Sequence, residues 1–408
     1  MLHQIPLALA TIFANPWITF LIAVDALDFD MRRTGVMDLP LHGGSAPKWL
    51  FHRMVNLSGA IAEAVADEHG KEELLRRIAD PLWFQAFSCV LGFDWHSSGT
   101  TTVTCGALRE GLERANIGIR LSGGKGRFSK GAIGGISSAA DDGFLSSSVV
   151  DGLIRSSRLS AKVDSAAVQD GHQLYHHAII YDDRGNWSVV QQGMCDRTGY
   201  ARRYHWSSLS LSSYVNEPHT GIVGSKMPFV LDMTDRVCES ARQTSVDLVA
   251  ESKPRIEGLI RSALLGCQSS LFEFEGEKHE FGFRSYAMPK HIDWIALARC
   301  YEFRPQNYEE LLLIRGVGTN IIRALALVSQ MVYGDELSWE DPVKFSFAVG
   351  GKDGVPFPVD RRAMDAATSM LSEAIRQSAL GEDEKKNALK KLSEHRFARP
   401  SAHPPRLC

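Results

Sequence analysis

The chain has 408 residues, a formal net charge of −3 at pH 7, 44% hydrophobic residues and 23% charged residues. This is an ordinary globular composition, with length for two or three domains. The slightly acidic balance excludes a uniformly basic nucleic-acid coat, so any polyanion must be met by local patches. Seven cysteines without a CxxC pair point to reduced thiols in a cytoplasmic protein rather than to a disulfide framework or a zinc site.

Ile5–Val24 is apolar and long enough to span a bilayer. No Lys or Arg precedes it, and Asn15-Pro16 interrupts it. Met31 then opens the string MRRTGVMDLPLH. Residues 1–30 are therefore expected to be an extension ahead of the true start, with no membrane partner. The alternative is an N-terminal anchor with Arg32 and Arg33 on the cytoplasmic side.

From Met31 to about residue 230 the pattern predicts a mixed α/β domain. Trp49–Glu68 and Glu72–Leu91 have helical periodicity, Thr100–Thr104 reads as a short strand, and Ala107–Ala115 as another helix. Ser122–Gly135, SGGKGRFSKGAIGG, lacks the P-loop spacing. It reads as a basic loop that could touch phosphates through Lys125 and Arg127. His176–Tyr181 and Trp187–Gln192 alternate about Asp182–Asn186, which predicts a β-hairpin. Residues 231–379 read as helical, with helices expected over Met233–Ser252 and Arg255–Gly266. Residues 380–408 form a charged, Pro-rich tail expected to be disordered.

The densest chemistry lies in KVDSAAVQDGHQLYHH and the strings that follow it. Asp164, Asp170, Gln173, His177 and Arg203 are the candidate catalytic residues. Asp164, Asp170 and His177 are candidate ligands for Mg²⁺ or Mn²⁺, which favour oxygen donors and accept an imidazole. Such an ion, with an activated water and a cationic group, would hydrolyse a phosphodiester. Strand alternation sends His176 and His177 to opposite faces, so at most one of them is expected to serve the site. No metal motif of known spacing is present. Asp94 and His96 in GFDWHSSGTTT could join the cluster or merely cap a turn.

Leu311–Gly334, LLLIRGVGTNIIRALALVSQMVYG, has the layout of a helix-hairpin-helix, and resembles that motif of DNA repair proteins. Gly316 and Gly318 can bare the backbone. Thr319 can cap the next helix, and its free N–H groups suit a phosphate oxygen. Gly316, Gly318, Arg323, Lys125, Arg127 and Arg202 are thus the candidate contacts to nucleic acid. The alternative is a buried, inert αα-hairpin. Phe357-Pro358-Val359-Asp360 follows the GVG turn in the order found in helix-hairpin-helix DNA glycosylases, where the Asp helps expel the base. Here the gap is longer and no lysine nucleophile can be assigned, and Asp360 as a helix N-cap fits equally well.

RTGVMDLPLHGGSAPKWLFHRM, LGFDWHSSGTTTVT, the SGGKG loop, KVDSAAVQDGHQLYHH, QQGM, ARRYHW and FSFAVGGKDGVPFPVD occur in that order. Together they resemble the domain-of-unknown-function family seven-six-three of archaea and bacteria, from about Met31 to Ala379. The resemblance supports the fold unit and carries no activity. The expectation is a mixed α/β protein with a helical C-terminal part. It would bind DNA or RNA, act as a metal-dependent nuclease, and could form a homo-oligomer. A non-enzymatic nucleic-acid-binding scaffold and a glycosylase-like enzyme using Asp360 are the alternatives.

Overall fold

The computed structural model describes residues 39–41, 46–92, 98–273 and 287–343, with short pieces between 372 and 390. The apolar segment before Met31, Asp94 and His96, Asp360 and residues 391–408 lie outside the described residues. The tail expected to be disordered from residue 380 is helical at its described residues between 382 and 390, because Ala388 is buried against the core of the first four helices.

Among the described residues a short strand at Leu39–Pro40 is followed by four helices: α1 (Lys48–His69), α2 (Lys71–Ala79), α3 (Pro81–Leu91) and α4 (Ser98–Ala115). The periodic run over Glu72–Leu91 is two helices because Asp80-Pro81 divides it. Asp80 accepts from the N–H groups of Leu82 and Trp83 at 2.7 and 3.0 Å, and Pro81 sits where a helix needs no donor. Thr100–Thr104, expected as a strand, lies inside α4. Thr100, Thr101 and Thr104 are buried, and Thr104 Oγ1 bonds Ser88 Oγ of α3 at 3.1 Å. Helix packing here overrides the β-branched preference.

The strands are β1 (Leu39–Pro40), β2 (Ile119–Lys125), β3 (Val168–Gln169), β4 (Gln173–Asp182), β5 (Trp187–Cys195), β6 (Tyr200–Ser207), β7 (Gly221–Val223) and β8 (Leu231–Asp232). The main sheet is antiparallel in the order β1-β6-β5-β4-β2, with β7 also on β6, while β3 pairs with β8. The turn between β4 and β5 is the predicted one. Asp182 accepts from the Arg184 and Asn186 N–H groups, each at 2.9 Å. The basic Ser122–Gly135 stretch is ordered rather than a loop: it completes β2, then forms α5 (Arg127–Lys130) and begins α6 (Ala132–Asp141). Gly123 has φ +100°, and a Cβ there would lie 2.2 Å from the His177 carbonyl oxygen, so only glycine lets β2 approach β4.

After α6 come α7 (Ser147–Lys162) and a π-helical turn at Val163–Ala167. The C-terminal helices are α8 (Glu239–Val249), α9 (Lys253–Glu273), α10 (Trp294–Phe303), α11 (Tyr308–Leu313) and α12 (Thr319–Val328), the last running into a second π-helical turn at Ser329–Tyr333. The helix expected from Met233 starts only at Glu239, because Asp235 caps a preceding 3₁₀ turn over Arg236–Cys238.

The fold is mixed α/β, and strand alternation divides its core in two. Ala178, Ile180 and Val190 pack with Val55, Leu75, Phe84 and Leu108 of the first four helices. Ile179, Val189 and Trp206 pack with Leu159 of α7, Leu311 of α11 and Ile322 of α12. This second cluster draws on residues either side of position 230. Among the described residues no helix is long and apolar enough to cross a membrane.

Candidate functional site

Three doublets, His176-His177, Gln191-Gln192 and Arg202-Arg203, lie on neighbouring strands. Register places His177 beside Gln191 and Gln191 beside Tyr204, and places His176 beside Gln192 and Gln192 beside Arg203. One polar row therefore faces α7 and the C-terminal helices, and the other faces α1–α4.

On the α7 face, hydrogen bonds form a directed array. Asp164, in the π-helical turn after α7, is fully buried. Its Oδ2 accepts from Trp206 Nε1 at 3.0 Å and from Gln191 Nε2 at 2.5 Å, and its Oδ1 meets His219 Nε2 at 2.5 Å. Burial pushes the Asp164 carboxyl up, against the pull of His219 and Trp206. Trp206 can only donate, so Oδ2 is an acceptor and the Gln191 amide nitrogen must point at it. Gln191 Oε1 then faces His177 Nδ1 at 2.8 Å and can only accept. His177 therefore carries its proton on Nδ1, and its bare Nε2 accepts from Ser157 Oγ at 2.8 Å. Burial lowers the His177 pKa more than Gln191 raises it, so the imidazole is neutral at pH 7.

Asp170 is held separately. Its Oδ2 accepts from Arg202 Nη1 at 2.9 Å and Tyr204 Oη at 2.6 Å, while Oδ1 accepts from the His172 N–H at 2.9 Å. Asp341 takes the other side of Arg202 at 3.0 and 2.6 Å. Burial would raise the Asp170 carboxyl, but Arg202 with His172 and Tyr204 outweighs it and holds it at about 2. Arg202 is 0% exposed. Expected to touch nucleic acid, it is a buried ion-pair residue instead, because two carboxylates compensate its charge in the core.

The expected catalytic and ligand sets are thus only partly brought together. Asp164 and His177 meet through Gln191, and Asp170 sits in its own ion pair. Gln173 is exposed at the start of β4. Arg203 lies on the opposite face, where its Nη2 donates to Gln85 Oε1 at 3.1 Å and its guanidinium stacks 4.9 Å from the Phe84 ring. The sheet separates it from His177. Burial lowers the Arg203 pKa to about 10. His176 shares that face, and burial brings it to about 3, helped by His177 and Lys125. Among the described residues no three His, Cys, Asp or Glu side chains converge as a metal ligand set. The oxygens of Asp164 and Asp170 already serve the donors just named. Cys89, Cys105, Cys195, Cys238 and Cys300 are buried and form no disulfide among the described residues.

The Gly316-Val317-Gly318 turn joins α11 to α12. Gly316 has φ +97°, and Gly318 caps α12 without a side-chain oxygen. The expected Thr319 cap is not made, since its hydroxyl donates to Ser165 O at 2.9 Å. Side chains hold the turn's carbonyls inward: Arg299 Nη1 donates to Arg315 O at 3.0 Å, Lys162 Nζ to Val317 O at 2.5 Å and Gln169 Nε2 to Thr319 O at 3.0 Å. Arg315, Gly316, Thr319 and Asn320 remain exposed, at a helix start whose first N–H groups lack intrahelical acceptors. Arg323, expected to meet phosphate, instead donates through Nε to Gln169 Oε1 at 2.7 Å and is partly buried. Lys125 and Arg127 are exposed at the end of β2 and the start of α5.

Beside the turn lies a cleft of about 600 Å³. Ser129 and Lys130 line one side, Leu313 and Arg315 the other, and Ser157, Arg158 and His177 lie between. Among the described residues its lining holds Lys130, Arg158, Lys162 and Arg315 and no carboxylate. A second cleft of about 920 Å³ mixes arginines with Glu110, Glu113 and Asp142. Ser157, Arg158, His219 and Asp341 were missed in the sequence. The faint signal for Ser157 is its place on a helix face with Leu153, Ser160 and Asp164, where polar residues interrupt an apolar stripe.

A family model described as "Protein of unknown function (DUF763)" matches residues 35–359. No curated protein and no solved structure matches the chain.

Proposed function

The chain belongs to the DUF763 family, whose description carries no activity, and from the site itself we propose that the protein binds the sugar–phosphate backbone of DNA or RNA in the cleft between α7 and the Gly316 turn. The observation that carries this is the sign of the lining, four cations and no carboxylate among the described residues, next to an uncapped helix start. A protein of net charge −3 that concentrates cations in one concave place suits a local polyanion rather than a general coat. Arg158, Lys130 and Arg315 are exposed and make no ion pair among the described residues. Lys162 is spent on the turn, and burial lowers its pKa. Three cations therefore remain for phosphates, with Lys125 and Arg127 nearby in the chain.

The test is retention on single-stranded DNA, duplex DNA and RNA across a salt series, with and without Mg²⁺ or Mn²⁺. Retention should weaken steadily with salt. Replacing Arg158 and Arg315 together by Glu should weaken it on every sequence and lower the salt slope by roughly one for each phosphate no longer neutralised. Retention that ignores salt, or that survives the double substitution unchanged, would overturn the proposal.

A further inference from the structure

We propose that Ser157 is a nucleophile and His177 its general base, acting on a phosphodiester held in the same cleft; the substrate class rests on the backbone-binding reading above. A serine hydroxyl at pH 7 is a weak nucleophile unless a base takes its proton as it attacks, and a base works best when a third group fixes its tautomer. All three parts are present. Ser157 Oγ and His177 Nε2 are 2.8 Å apart, His177 Nδ1 and Gln191 Oε1 are 2.8 Å apart, and Gln191 is locked by Asp164 at 2.5 Å. Asp164 is itself braced by Trp206 and His219. Asp164 follows Ser157 by seven residues, two helical turns, which brings both to one side of α7.

Placement distinguishes this array from a buried hydrogen-bond chain. Ser157 and His177 are 4% and 6% exposed, and both line the cleft, whereas Asp164 and Gln191 behind them are 0% exposed. The reactive end borders the cleft and the positioning end lies behind it. Arg158 follows Ser157 in the chain and shares its cleft, with Lys130 and Arg315 as further walls. These cations suit the charge that grows on non-bridging phosphate oxygens during displacement.

The chemistry balances without a further reagent. Ser157 Oγ forms a bond to phosphorus as the bond from phosphorus to one sugar oxygen breaks. The Ser157 proton passes to His177 Nε2 and then to the leaving sugar oxygen, which departs as a hydroxyl. Water next attacks the phosphoserine, giving its proton to His177, and that proton returns to Ser157 Oγ as the bond to phosphorus breaks. The net reaction is hydrolysis. Gln191 and Asp164 are positioning residues that keep His177 Nε2 unprotonated.

The test uses the full-length protein and a fluorophosphonate probe, which labels activated serines whether or not nucleic acid is bound. Mass spectrometry should place the label on Ser157, and Ser157→Ala and His177→Gln should each abolish it while their thermal melts stay close to the parent's. In a cleavage assay on single-stranded DNA, duplex DNA and RNA, Ser157→Ala should lose at least about 10³-fold in cutting and keep its retention on nucleic acid. Nitrogen-15 shifts of the His177 ring should report the Nδ1–H tautomer, and Asp164→Asn should disturb that tautomer. No label on Ser157, an Nε2–H tautomer, or metal-dependent cutting that survives Ser157→Ala would overturn the proposal and leave backbone binding standing. Labelling of Ser157 with no retention on any nucleic acid would overturn the binding reading and the phosphodiester assignment together.

Discussion

Asp170→Asn keeps the volume of the side chain and removes its charge. In the folded protein the carboxylate sits between Arg202, Tyr204 and His172, and against the cost of burial the Arg202 charge, the His172 side chain and the Tyr204 hydroxyl hold it at about 2, below an ordinary value of 3.8. The sign follows from that depression. Above the unfolded pKa the native state is stabilised by its preference for the ionised form, and this contribution disappears as pH falls through the folded value. The gap corresponds to about 2–3 kcal/mol at pH 7, of which roughly half remains at pH 3. Removing one partner of a buried ion pair costs about 3–5 kcal/mol where no second partner exists. Here Asp341 still engages Arg202 through two bonds, so the lower figure applies. Urea unfolding of both proteins from pH 7 to pH 3 reads the difference directly. The substitution should cost about 2–3 kcal/mol at pH 7 and progressively less in acid. A cost below about 0.5 kcal/mol, which is surface-substitution behaviour, or one that ignores pH, would show that Asp170 does not anchor the core. The same variant should keep whatever labelling Ser157 shows, since Asp170 stands outside the Ser157–His177–Gln191–Asp164 array.

Gly316→Ala should destabilise the turn by about 2 kcal/mol or more, from left-handed strain and overpacking. The new Cβ would lie 2.7 Å from Ala296 Cβ at φ +97°. Faster hydrogen exchange at the start of α12 and weaker retention on nucleic acid should accompany the loss, and an unchanged melt would refute it. His176→Leu should flatten the acid limb of the stability curve. Burial holds His176 at about 3 against an ordinary 6.5, so between these values the unfolded chain takes up a proton that the folded one refuses. Stability contributed above 6.5 is thus lost as pH falls, at roughly 1.4 kcal/mol per pH unit. Denaturation at pH 6, 5 and 4 checks this, and parallel curves for the two proteins would count against it.

Much of the local structure could be read from the residues. The β4–β5 hairpin announced itself through alternation around Asp182–Asn186, and the two helices around Gly316-Val317-Gly318 through apolar spacing. Thr100–Thr104 misled because β-branched residues lose their strand preference when their hydroxyls find partners between helices, as Thr104 does with Ser88. Asp164 and His177 were visible as unusual residue types close in sequence. Their partners were not, because Ser157 carries only a faint helix-face signal and His219 arrives from a distant segment that no local pattern marks. Arg202 and Arg203 could be noticed but not assigned. Adjacent strand residues look alike in a string of letters and part company only when the faces are built.

The doublets have a consequence for how the sheet finds its alignment. A slip of one residue in β4 would put His176 where His177 belongs, and a slip in β5 or β6 would exchange Gln for Gln or Arg for Arg. Ordinarily such a slip is punished because polar and apolar residues change places. In each doublet one position keeps its residue type while the other takes a neighbour such as Tyr175 or Val190, so the doublets soften the penalty for misalignment without removing it. Discrimination falls to the apolar neighbours, to the fixed length of the Asp182–Asn186 turn and to Gly123, whose missing side chain admits the His177 carbonyl at one alignment. The near-symmetry that places a histidine, a glutamine and an arginine on each face makes correct strand pairing during folding lean on a turn and on a glycine packed against the His177 backbone.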